Sequence, residues 1–593
     1  MHSEGNAIRP HFHALLLPLR DHVVVTCGGR AGSFHSSYSQ PPPAHHPLEV
    51  AMIPDTDFLT IAQAGELLKS RKLSPVELTR MLLERIETYD PQVHAFITPT
   101  PELALSQARD AEAAICAGHW RGPLHGIPFG LKDIYNTAGI RTTAHSKILI
   151  DNVPIEDSAA TAMLYASGAI LMGKLGTHEF AIGGPSHDLP WPIPRNPWNV
   201  EHYIGGSSSG SAAAVAAGLV LGALGSDTGA SIRNPAALGG LVGLKPTYGL
   251  VSRRGVIPNS YSFDTCGPMA WTVEDCAILL QAIASHDAAD PGSIAASIPD
   301  YRAGLTTDVR GMRIGVIRHF WEEDLSVNAE LARAMDEAVH VLTELGAVCR
   351  DIRVRPMHAY HDVRMVIAEC ELFSNHQTDL MNRAGDFGTE FLRKVLPGCL
   401  FQGTDYVQAQ RERQIMLQEM KPVYRDFDVM LTAGSGPAPR LDQFKGIEFW
   451  SKPSIYNIFN VTGGPAMSVC NGFSANGLPL GMQIAAAPFR DDAVLSLGHA
   501  YEKATAWRSQ RPRLERRATS TPIRLQPEPA VQEPDATTLA FIQTAARRAG
   551  LKLDARSREM LLSAAPYALA MADRIARNHA RAVEPAMVFA FPK

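Results

Sequence analysis

A chain of 593 residues with 45% hydrophobic residues is long enough for a large buried core and too long for one small domain. Its formal net charge of -5 and pI near 6.5 give no general attraction for nucleic acid or an anionic membrane. The eight cysteines are scattered without a C-x-x-C pair, which argues against a zinc cluster and for buried, reduced thiols in a cytoplasmic protein.

Residues 1–51 mix His, Pro, Gly and Ser without periodicity and read as a disordered extension, with Met52 opening a more ordinary N-terminus. HALLLPL is too short and too broken by proline to serve as a signal segment. A main domain is expected over 52–507. It begins with helical periodicity in TIAQAGELLKS and SPVELTRMLLERIETY, where Ser74, Pro75 and Glu77 form a helix start. Between Gly122 and Gly267, the runs IPFGLKDI, AILMGKLG and GLVGLKPTYGLVS alternate with Ala-rich segments, a pattern of α/β layering around a buried sheet. The apolar run Ala212 to Gly225 reads as a buried helix, shorter than the roughly 20 residues that span a bilayer. Helical periodicity dominates from Leu331 to Phe427, and strand-like runs return in VMLTAGS and GPAMSVCNGFSANGLPLGMQIAA. Residues 508–534 are charged and proline-rich, as in a linker. Residues 535–593 follow as a short all-helical appendage, a helix pair divided by Gly550 and Asp554. Its apolar stripe is too thin for independent folding, so it requires another surface.

The stretch GGSSSGS at 205–211 admits several readings. A phosphate-binding loop needs a lysine after the glycines, and none follows. A nucleophile elbow G-x-S-x-G would centre on Ser208, but no HGGG-like oxyanion loop accompanies it. Three separated stretches carry the stronger pattern: GIPFGLKD around Lys132, GGSSSGS itself, and GSDTGASIRNPAALGG from Gly225. Lys132 precedes Ser207 by 75 positions, and Ser207 precedes Ser231 by 24. Together these stretches resemble the amidase signature family of serine hydrolases, over roughly residues 60–507.

The resemblance implies an α/β fold in which a central, mixed, mostly buried sheet is covered by helices on both faces. It also implies roles: Ser231 as nucleophile, Ser207 as a proton relay after a cis Gly206–Ser207 peptide, and Lys132 as the base. A lysine can accept a proton only when neutral, so its ordinary pKa of about 10.4 must be lowered by burial or neighbouring positive charge. The backbone amides of Thr228, Gly229, Ala230 and Ser231 are expected to face the oxyanion. Gly206, Ser208, Asp227 and Arg233 are expected to support the loops, and Ser211 to sit at the start of the following helix. Two departures from the family pattern stand out. Ala230 replaces a glycine, which is costly if the position requires positive φ, and Ser209 replaces a common glycine as loop variation. His178 and Glu179 in GTHEFA read as structural because no spaced third metal ligand follows.

The implied activity is cleavage of a carboxamide to acid plus ammonia or amine, without metal or cofactor, on a small-molecule amide. Two rivals remain open. One is the A-type subunit of a glutamine-dependent amidotransferase, since the tail loosely resembles the small C-type subunits of such complexes. The other is a catalytically dead scaffold of the same fold. The tail is expected to act as the chain's own clamp, at a homodimer interface, and no nucleic-acid or membrane partner is indicated. The acyl pocket is expected between the loop GPSHDLPWPIPRNPWN and the helical region after Leu331.

Overall fold

In the computed structural model, residues 58–526, 531 and 533–586 are described; the extension expected over 1–51 lies outside them. Short apolar runs bounded by Gly and Pro form thirteen strands among these residues: β1 Phe96–Pro99, β2 Pro128–Lys132, β3 Ile170–Leu175, β4 Arg195–Asn196, β5 Asn199–Tyr203, β6 Gly222–Asp227 and β7 Val242–Lys245, followed by β8 Thr265–Ala270, β9 Arg313–Val316, β10 Val348–Asp351, β11 Val429–Ala433, β12 Ala466–Phe473 and β13 Pro479–Ala485. Eleven of them form one sheet in the order β1-β3-β2-β6-β8-β7-β12-β13-β11-β9-β10, and β4 with β5 makes a separate hairpin. The sheet is mixed. β2 runs parallel to both β3 and β6, β6 is antiparallel to β8, and β9 runs parallel to β10 and β11. Strands β2, β3, β6, β7, β8, β11 and β13 are buried along their whole length, as expected for a sheet between helical layers.

Local chemistry sets the helix starts. Thr60 with Gln63, and Ser74 with Glu77, each close a capping box, with Pro75 in the first turn of the second helix. The run Ala212 to Gly225 departs from the expected single helix. Its helix spans Ser209–Ala216, Gly218 turns the chain at φ 65°, and Gly222 begins β6. Ala and Gly fit a buried helix and a buried strand equally well, so composition alone does not separate the two.

The C-terminal helices Ala536–Arg548 and Ala555–Arg574 pack on the chain's own helical layer, principally on Met357–Arg383, Thr389–Val395 and the turn Leu396–Leu400. Gly550 at φ 79° divides the pair, and Asp554 caps the second helix. Ile542, Ala546, Met560, Leu561 and Ala565 join the same apolar core as the sheet. Much of the apolar face of the two helices is therefore packed within the chain itself, while Phe541 and Tyr567 stay exposed. Ion pairs pin the contact at three places: Arg556 to Asp188 at 3.3 Å, Arg574 to Asp362 at 2.6 Å and Arg577 to Asp405 at 2.9 Å. Before the tail, Arg508 donates to the carbonyls of Trp271 and Gly240, so this end of the charged segment is strapped to the core.

Leu561 is fully buried in that contact. Leu561→Ala is expected to destabilise the protein by about 2–5 kcal/mol, read as a lower midpoint in thermal or urea unfolding. An unchanged midpoint would show that the tail unfolds apart from the core.

Candidate active site

Lys132 ends β2, whose neighbours on either side are β3 and β6, and it is fully buried. Its Nζ donates to Ser207 Oγ at 2.7 Å and to Ser226 Oγ at 2.9 Å. Burial drives its pKa down to about 7, and the carboxylates of Asp264 and Asp227 only partly oppose the shift. Ser226 was not anticipated from the sequence. It lies near the end of β6, one residue before Asp227, and the parallel β2/β6 pairing brings its hydroxyl to the lysine.

Ser207 precedes the helix Ser209–Ala216, and the Gly206–Ser207 peptide is cis. The Ser207 carbonyl accepts from the His178 amide at 3.1 Å and from Thr177 Oγ1 at 2.9 Å. A Cβ on Gly206 would lie 2.1 Å from His178 Cε1, so the ring excludes any side chain there. The Ser208 amide donates to the Ser231 carbonyl at 3.1 Å, and Ser208 Oγ exchanges 3.3 Å hydrogen bonds with the backbone of Ser226. Ser208 thus ties the two serine loops together. Ser209 begins the helix, and Ser211 in its first turn donates to the Leu224 carbonyl at 3.0 Å.

Ser231 sits in the turn between β6 and the helix Arg233–Leu238, half-buried beside Gly229 and Ala230. The Asp227 carboxylate organises this turn. It accepts from the Ala230 amide at 2.9 Å, the Ile232 amide at 3.2 Å, Asn460 Nδ2 at 2.8 Å and both Nε and Nη2 of Arg233 at 3.0 Å. Burial alone would raise the Asp227 pKa, but the Arg233 guanidinium and these donors hold it well below the usual carboxylate range. Arg233 is completed by Asn460, Gln483 and the Tyr456 carbonyl, which link the turn to the far half of the sheet.

One expectation for the oxyanion site is corrected. The Ala230 amide is taken by Asp227, so it does not point to a shared acceptor with Thr228, Gly229 and Ser231. Ala230 also has φ 138°, a left-handed conformation that favours glycine. His178 and Glu179 separate in their contacts. His178 Nε2 lies 3.3 Å from the Tyr203 hydroxyl, whereas the Glu179 carboxyl accepts from Ser146 Oγ at 2.6 Å and the Gly388 amide at 2.8 Å. Among the described residues no group of three or more His, Cys, Asp or Glu side chains is arranged to hold a metal ion.

Ser207, Ser231, Gly206, Gly229, Ala230 and His178 share one cavity of about 550 Å³, large enough for a small molecule. Its outer wall departs from the sequence expectation. Leu331, His361 and Arg364 come from the helical region as expected, but 434–457 replaces the Pro- and Trp-rich loop 184–199 as the opposite wall. Gly434 to Pro437 directly follow β11, and a Gly/Pro-rich segment leaving the end of a sheet strand is the signal that could have located them.

The family model for Amidase matches residues 77–495. The chain is a member of the amidase signature family. The A-type subunit of the glutamyl-tRNA(Gln) amidotransferase of Geobacter metallireducens is 40% identical over 484 residues, covering 76% of this chain and 98% of that one. Among solved structures, the native peptide amidase of Stenotrophomonas maltophilia superposes with a TM-score of 0.67 at 30% identity, covering 76% of this chain and 98% of that one. A second chain, from an unexpected vestigial protein complex that reveals the evolutionary origins of an s-triazine catabolic enzyme, superposes with a TM-score of 0.70 at 29% identity and is covered completely by 77% of this chain. Membership makes amide C–N cleavage the general reaction of this amidase signature protein.

Two substitutions test the geometry. Gly206→Ala forces the loop away from His178 and is expected to lower kcat/KM by about a hundredfold, the scale of an ångström-sized misplacement. Ala230→Gly relieves the positive φ and is expected to raise stability by about 1–3 kcal/mol in denaturant unfolding. An unchanged or lower stability would show that Ala230 is unstrained.

Proposed function

We propose that the protein cleaves a carboxamide C–N bond through an acyl-Ser231 intermediate, releasing ammonia or an amine and then a carboxylic acid. The observation that supports this most strongly is the fully buried Lys132, 2.7 Å from Ser207, with Ser207 and Ser231 opening into one cavity. Neutral Lys132 accepts the proton of Ser207 as Ser207 takes that of Ser231, and Ser231 Oγ adds to the amide carbon. The developing oxyanion faces the turn Thr228 to Ser231, where the amides of Thr228, Gly229 and Ser231 are the donors left once Ala230 is committed to Asp227. As the tetrahedral species collapses, the C–N bond breaks and Ser207 delivers a proton to the departing nitrogen. Water then gives up its proton along the same relay, attacks the ester and restores Ser231. Gly206 and Ser208 hold the relay serine, and Asp227 with Arg233 holds the nucleophile's turn.

Two fates of the ammonia follow from this one chemistry. In a self-contained amidase it is lost to solvent; in the A-type component of an amidotransferase it passes to a partner. The second reading is favoured by the 40% identical relative that carries that name. The first is favoured by the tail, which closes over the chain's own helices instead of leaving that surface to a separate protein. The intact Lys132–Ser207 contact weighs against a dead scaffold. No described helix is long and apolar enough to cross a membrane, and the thiols of Cys266, Cys276 and Cys470 are buried, which suits the cytoplasm.

Ser231→Ala and Lys132→Ala are each expected to lower kcat/KM on primary amides by about a thousandfold or more. Wild-type turnover in either variant contradicts the mechanism. Glutaminase activity that rises only when partner proteins and tRNA are added selects the amidotransferase reading.

A further inference from the structure

The cavity beside Ser231 is asymmetric in charge. Its charged lining residues are Arg364, Lys445 and Lys452 against the single carboxylate of Glu448, and Glu448 is paired with Lys452 at 3.0 Å. His178 and His361 also line it, and burial keeps both neutral. Arg364 is the one deep cation of this set, 1% exposed, while Lys445 and Lys452 lie at the exposed mouth.

The placement of Arg364 is specific. A Cβ built on Gly229 would lie 2.9 Å from its Nε and 3.2 Å from its Nη2, so the guanidinium rests against the turn two residues before Ser231. Nη1 is engaged by Glu369 Oε1 at 3.2 Å, and Nε reaches the Thr228 carbonyl at 3.5 Å. Among the described residues nothing accepts from Nη2. The carboxylate of Glu369 is shared, since Lys394 Nζ reaches the same oxygen at 3.2 Å. Beside Arg364 on the same helix, His361 Nδ1 is 2.9 Å from the Asn457 side-chain nitrogen, which must donate; the neutral ring then carries its proton on Nε2, which has no hydrogen-bond partner among the described residues. The guanidinium edge of Arg364, on the wall of the cavity and without an acceptor at Nη2, suits an anionic oxygen ligand.

We propose that Arg364 forms an anion subsite, and that the substrate is an acidic amide: a small carboxamide bearing a carboxylate on its acyl side. This rests on the acyl-Ser231 reading above and deepens it. Because Arg364 sits against Gly229, the carboxylate lies a few bonds from the scissile carbonyl, and cleavage yields a short dicarboxylate. The exposed Lys445 and Lys452 draw the anion to the mouth without fixing it.

The test uses the wild-type protein and the variants Arg364→Gln and Arg364→Lys, titrated calorimetrically with succinate and glutarate against butyrate and pentanoate. The better dicarboxylate is expected to bind wild type at least tenfold more tightly than the monocarboxylate of equal length. Arg364→Gln abolishes the preference, and Arg364→Lys, which keeps the charge and loses the planar fork, retains only part of it. Equal binding of the two classes by wild type, or a preference that survives in Arg364→Gln, overturns the subsite. The wild-type comparison decides the matter even if Arg364→Gln fails to fold. A kinetic arm separates the two proposals: succinamate and glutaramate are compared with butyramide and pentanamide. Turnover of neutral amides as fast as acidic ones removes the subsite and leaves the amidase. A dicarboxylate preference without turnover of any amide removes the hydrolytic reading and leaves the subsite.

Discussion

The proposed chemistry depends on keeping a lysine uncharged inside a protein. An ammonium moved into a low-dielectric interior loses hydration that costs several kcal/mol unless a carboxylate compensates it. Lys132 is buried completely, and the polar groups at its tip are hydroxyls, Ser207 and Ser226, not carboxylates. The nearest help, from Asp264 and Asp227, is too weak to restore its ordinary pKa. Lys174 on the neighbouring strand β3 is also buried and its pKa is also lowered by burial, but there the Asp133 carboxylate at 3.3 Å directly opposes the shift. The hydroxyl-lined tip of Lys132 suits the base of the proposed relay, whereas Lys174 is held beside a carboxylate.

The surrounding framework serves this constraint. The parallel strands β2 and β6 end side by side, which brings Lys132, Ser226 and Asp227 to one edge of the sheet. Asp227 then spends its oxygens on the turn carrying Ser231, and Arg233 ties that turn to Asn460 and Gln483 in the second half of the chain. The tail supports the cavity from outside. It packs on Met357–Arg383, the helix that presents His361 and Arg364, and its Arg574 pairs with Asp362 between them. A segment 212 residues away in sequence thereby bears on the cavity wall.

Much of this was legible in the sequence. The buried strands announced themselves as apolar runs, and the motifs around Lys132, Ser207 and Ser231 located three side chains that the fold brings to one place. What escaped has physical reasons. The run Ala212 to Gly225 divides at Gly218, a turn that depends on one backbone angle. Ser226 acquires its contact through strand pairing with a segment 94 residues earlier. The capture of the Ala230 amide by Asp227 is local, and an aspartate three residues before a small residue could have suggested it. The wall at 434–457 is a long-range product of topology, and no periodicity in that segment points toward Ser231.

The most direct test of the neutral-lysine account is covalent labelling with a fluorophosphonate, followed by peptide mass spectrometry and repeated across pH. The adduct is predicted on Ser231, with an inactivation rate that rises as Lys132 loses its proton around pH 7 and then levels. An adduct on Ser207 or Ser208, or a rate still climbing toward the ordinary lysine pKa of about 10.4, would contradict it.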